Sequence, residues 1–131
     1  MKKNIIIIIL SFIPFFAVSQ SKEFILTSKT PANVVKAIFY AAKTQEFQTL
    51  SELCDPEGKG DGDTRMICDL AYSDEERENF VKFFKNGKIS GSTIQTDGGG
   101  ASVPILYGPN GEKEETMNLI KRDGKWYLSS F

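Results

Sequence analysis

From residue 30 the apolar positions recur with a helical period, and near residue 88 the period changes to two. Val34, Val35, Ile38, Phe39 and Ala42 fall on one broad face, which predicts an amphipathic helix. Thr30-Pro31 supplies its start, an N-cap hydroxyl followed by a residue that needs no amide partner, and the helix is expected to run to about Lys43. Residues 45–53 continue as a shorter helix burying Phe47, Leu50 and Leu53. Residues 66–72 fit either a helical turn or a short strand. Ser73 with Glu76 three places on forms a capping box, and the acidic residues between them suit a helix N-terminus. This third helix buries Phe80, Phe83 and Phe84, and Asn86-Gly87 reads as its left-handed C-cap.

Beyond Lys88 the alternation predicts strands at 89–96, 101–107, 112–122 and 125–131. Turns fall at 97–100 (Asp-Gly-Gly-Gly), 108–111 (Gly-Pro-Asn-Gly) and Asp123-Gly124. Pro104 argues for an edge or an irregularity in its strand, because it has no amide to donate. A two-residue turn at Asp123-Gly124 places Leu119 opposite Leu128 and Ile120 opposite Tyr127. A three-residue turn shifts that pairing by one, and the pattern leaves both open. Helices first and an antiparallel meander after them make an α+β layout, with the N-terminal helices packed on a four-stranded sheet.

The first twenty residues have a different character. Lys2 and Lys3 precede an apolar run broken by Ser11 and Pro14, and Ala17-Val18-Ser19 offers a cleavage site. The run is short for a membrane span, which takes about 20 apolar residues. The expected organisation is a signal peptide at 1–19, a lead-in at 20–29 and one domain at 30–131, on an exported protein that is periplasmic or secreted. Cleavage leaves a soluble chain of about 111 residues, enough for one small core. With Lys2 and Lys3 gone, 14 of the 16 basic residues remain against 17 acidic ones, a net charge of −3. Without a basic run, nucleic acid and anionic membrane surfaces are poor partners. Cys54 and Cys68 are the only cysteines. Their wide spacing and the exported context predict a disulfide across an acidic, glycine-rich loop rather than a redox pair.

Candidate chemistry is sparse. The chain has no histidine, which removes the commonest general base, the Ser-His and Cys-His systems and the usual zinc ligands. Asp55, Glu57, Asp61 and Asp63 alternate as in a calcium loop, but Lys59 and Met66 occupy positions where ligands belong, so no metal is expected. The glycine clusters lack the strand–loop–helix context of a phosphate loop. Asp69 or Glu115 could act with Tyr40, Tyr72, Tyr107 or Tyr127 in a histidine-free isomerase or hydratase, though no spacing selects a pair.

Three segments carry a family resemblance: the helix from Thr30 to Lys43 (Thr-Pro-Ala-Asn-Val-Val-Lys-Ala-Ile-Phe-Tyr-Ala-Ala-Lys), Glu46-Phe-Gln-Thr-Leu50, and the hairpin from Met117 to Leu128 (Met-Asn-Leu-Ile-Lys-Arg-Asp-Gly-Lys-Trp-Tyr-Leu). Over residues 30–131 the chain resembles the nuclear transport factor 2-like superfamily, within it the small exported domains related to lumazine-binding-like proteins. The Cys-bridged insertion departs from that pattern. The resemblance implies a curved sheet wrapped around the long helix as a cone with an internal cavity. Phe39, Tyr40, Tyr72, Tyr107, Met117 and Trp126 are then the expected lining of a pocket for a small, partly apolar ligand. The alternative, which the small size of the domain favours, is that these side chains simply fill the core. The expected function is a non-enzymatic, cofactor-free binding module. A structural or protein-interaction domain is the alternative, and an exposed sheet face is compatible with a homodimer.

Overall fold

The computed structural model describes residues 28–58, 62–69 and 73–131. The leader, most of the lead-in, Asp61 and Tyr72 lie outside these residues. The described chain is α+β. Helix α1 (Pro31–Thr44) leads to a 3-10 helix (Phe47–Leu53), then to α2 (Gly62–Cys68) and α3 (Asp74–Phe84). Strands β1 (Lys88–Ile89), β2 (Ile94–Thr96), β3 (Gly100–Tyr107), β4 (Lys113–Arg122) and β5 (Lys125–Ser130) follow.

The helix starts form as their side chains dictate. The Thr30 hydroxyl accepts from the Asn33 amide at 3.1 Å, and Ser73 does the same for Glu76 at 3.1 Å, each satisfying an amide with no partner inside the helix. The segment after α1 is a 3-10 helix because Phe47, Leu50 and Leu53 recur every third residue, the period at which a 3-10 helix presents one face. Leu50 and Leu53 are buried on that face. Helix α2 begins inside the acidic loop that the sequence reads as irregular, with Ile67 carried into the core.

The sheet is open, antiparallel and five-stranded among the described residues, not four-stranded, in the order β1-β3-β4-β5 with β2 also on β3. The extra strand arises because the stretch expected as one strand at 89–96 is split. Lys88 and Ile89 pair with Leu106 and Ile105, whereas Ile94 to Thr96 pair with Ser102 to Gly100. Pro104 lies opposite the break. Its carbonyl accepts from the Ser90 amide at 2.9 Å, so its own ring nitrogen also faces this edge, where it has no hydrogen to donate. The β4–β5 hairpin adopts the two-residue register, Leu119 opposite Leu128 and Ile120 opposite Tyr127. Both turn residues, Asp123 and Gly124, have positive φ, as a type I′ turn requires.

Alternation then sorts the side chains. Ala101, Val103, Ile105, Met117, Leu119, Trp126 and Leu128 face inward and join Val34, Val35 and Ile38 of α1 in one core. On the opposite face, Ser102 Oγ donates to Asn118 Oδ1 at 3.0 Å, and Asn118 Nδ2 donates to Ser130 Oγ at 3.0 Å. A bulge between Asn118 and Leu119 makes room for this three-strand ladder by leaving Ser129 unpaired in the register.

Candidate functional site

The Cys-bridged segment lies along the outer edge of β5. Cys54 and Cys68 are joined. The Asp55 amide donates to the Leu128 carbonyl at 2.9 Å, extending the sheet by one parallel bridge at Cys54. Arg122, at the end of β4, grips the Asp55 carboxylate with two bonds, Nε to Oδ1 at 2.6 Å and Nη2 to Oδ2 at 3.0 Å, and also pairs with Glu57. The Asp55 side chain is only 7% exposed. Its pKa is held below the ordinary carboxyl value, first by the Arg122 hydrogen bonds and then by the Glu57 amide and the Arg122 charge, against the opposing effect of burial.

A groove of about 400 Å³ runs beside this clasp and is bordered by Thr64, Arg65, Asp69 and Tyr127. It brings together one carboxylate–tyrosine pair from the sequence, Asp69 and Tyr127. Asp69 is exposed and lacks the burial of a carboxylate poised as a general base. Glu115 is exposed on β4. Among the described residues no cluster of three His, Cys, Asp or Glu side chains could hold a metal ion. No helix of the described residues is long and apolar enough to cross a membrane.

Aromatic side chains gather where α3 meets the open end of the sheet. Phe84 contacts the rings of Phe39, Phe80, Tyr107 and Phe131, with centroids 5.1 to 6.3 Å apart. A hollow of about 200 Å³ opens beside them, lined by Met66, Ile67, Asn79, Phe80, Phe83 and Phe84 together with Tyr107 and Phe131. Helix α2 brings Met66 to its rim, 46% exposed. The turn after β3 is anchored to the end of α3 by the Gly108 amide, which donates to the Phe83 carbonyl at 2.7 Å.

The expected lining residues separate in space. Tyr107 borders the aromatic hollow. Phe39 and Tyr40 border a different, shallow depression of about 440 Å³ between α1 and β1. Met117 and Trp126 lie on the inner face of the sheet, 0% and 6% exposed. Reasoning from the sequence missed Met66, Phe80, Phe83 and Phe131 as lining. Phe80, Phe83 and Met66 were assigned by their periodicity or their loop, and nothing local joins α2, α3 and the C-terminal strand at one point.

No protein-family model matches the chain, and no curated protein matches it. A solved structure does. RPA3114, a SEC-C motif containing protein from Rhodopseudomonas palustris whose structure was determined in solution, superposes with a TM-score of 0.52 at 21% identity. The match covers 79% of this chain and 77% of that one. At this identity the likeness concerns fold alone. It overturns the resemblance to the nuclear transport factor 2-like superfamily. The segments that carried that resemblance encode a capped helix and a tight hairpin, devices that many helix-on-sheet folds share. The open sheet, with its helices N-terminal to it, is instead similar to that of a SEC-C motif containing protein.

Proposed function

We propose that the protein is an exported, non-enzymatic binding module that takes a small apolar group into the aromatic hollow. One observation carries this reading: a cluster of packed aromatic rings, with Phe80 and Phe84 buried and Phe83, Tyr107 and Phe131 half-buried, leaves an open space at its border. Phe80, Phe83, Phe84, Tyr107 and Phe131 supply ring faces and edges, and Asn79 supplies a polar group at the wall, the usual composition of a small-ligand site. The space is below the roughly 300–1,000 Å³ of sites for drug-sized ligands, so the group it takes is the size of a single ring. Export is supported by the leader pattern at 1–19 and by the Cys54–Cys68 bridge, which persists in oxidising compartments.

The methionine methyl resonances provide the test. Met66 borders the hollow and Met117 is sealed in the core. Titration with p-cresol at millimolar concentrations is expected to shift the Met66 methyl saturably and leave Met117 in place. An unmoved Met66 signal, or equal movement of both, would remove the hollow as a binding site.

A further inference from the structure

A second site lies between α1 and β1. Lys36, Tyr40 and Lys43 follow at helical spacing on the solvent side of α1, and Lys88 and Ile89 of β1 complete the rim of the depression. The buried Phe39 ring, 5% exposed, lies beneath it. The depression depends on the glycine at position 87. A Cβ there would overlap the Phe39 ring, so only glycine lets β1 close on α1 and bring Lys88 to the rim that Lys36 and Lys43 also border.

Two features distinguish this depression from an ordinary solvated surface. No carboxylate lines it, although the chain as a whole is acidic. Lys36, Lys43 and Lys88 are exposed and form no ion pair with any described residue. Unpaired ammonium groups around the half-buried Tyr40 and Ile89 suit a ligand with an anionic head and a flat body. The head is held by charge-assisted hydrogen bonds, and the body packs on the half-buried Tyr40 and Ile89. We infer that this depression is a binding site for small aromatic carboxylates. It is separate from the aromatic hollow and does not depend on it.

The probe is 1-naphthoate, titrated into the protein while the backbone amides of Tyr40, Gly87 and Lys88 are followed by NMR. The comparison ligands are the neutral 1-naphthalenemethanol, inorganic phosphate and phosphatidylglycerol vesicles. Naphthoate is expected to shift these amides saturably, with an affinity that falls as salt rises. The alcohol and phosphate should each bind about tenfold more weakly, the loss expected when a charge-assisted bond or the apolar contact is missing. The double variant Lys36→Gln with Lys43→Gln changes exposed side chains, so it should melt as the parent does while losing a similar factor in naphthoate affinity. The inference is overturned if the alcohol matches naphthoate or if phosphate does. It also fails if the double variant binds unchanged, if the shifts appear at Met66 instead, or if only the vesicles bind.

Discussion

At position 87 the chain passes from α3 into β1 directly over the Phe39 ring. Gly87→Ala forces a methyl group into space that the ring occupies, and overpacking of this kind costs about 1–3 kcal/mol. Urea denaturation of the variant should show that loss, with the amides of Phe39 and Lys88 shifted most in its NMR spectrum. The glycine itself is conspicuous in the sequence, and Asn86-Gly87 reads as a left-handed helix cap. The structure gives it another role. Lys85, in right-handed helical geometry, is the C-cap of α3, and Gly87 is not among the glycines with positive φ. Its requirement comes from a ring on another helix, which no local pattern can announce. By contrast, Thr30, Ser73 and the Asp123-Gly124 turn act on neighbours within a few residues: both caps form as their sequence predicts, and the turn takes the two-residue form, one of the two that the sequence leaves open.

Between elements, the Asp55–Arg122 pair ties the Cys-bridged segment to the β4–β5 hairpin. The folded Asp55 carboxyl has a lowered pKa, so its contribution follows a definite sign. It is complete above the unfolded value of about 3.9 and is lost as the pH falls through the lower folded value. Asp55→Asn should therefore lower the urea midpoint at neutral pH, and the gap to the parent should close as the solution is acidified below about pH 4. A gap of constant size down to low pH would mean that the carboxylate charge contributes nothing. In the sequence Asp55 reads only as part of an acidic alternation and Arg122 does not stand out, because the pair joins a loop to a distant hairpin. The same limit governs β1 and β2. Pro104 announces an irregularity, but the break appears on the neighbouring strand, which only pairing can reveal.

Across the whole molecule, the disulfide links the end of the 3-10 helix to the end of α2, and both neighbouring residues, Leu53 and Ile67, are core. Loosening it should therefore destabilise the fold as a unit. Reduction, or Cys54→Ser with Cys68→Ser, is expected to cost about 3 kcal/mol in the chain-entropy account of a loop this long, read as a lower midpoint of one cooperative transition. A separate early transition confined to residues 62–69 in hydrogen exchange would show instead that α2 melts alone. At this scale the α+β order was legible because the hydrophobic period changes once, near residue 88. The proposed sites were not, because the hollow and the depression are assembled from elements far apart in the chain. The sheet margins carry one more consequence. On one side the Ser28 carbonyl and the Asp55 amide already bond to β5, and on the other β1 and β2 are short and interrupted opposite Pro104. Neither rim offers the long, flat template on which a foreign strand could polymerise, which guards the folded chain against growth into fibres.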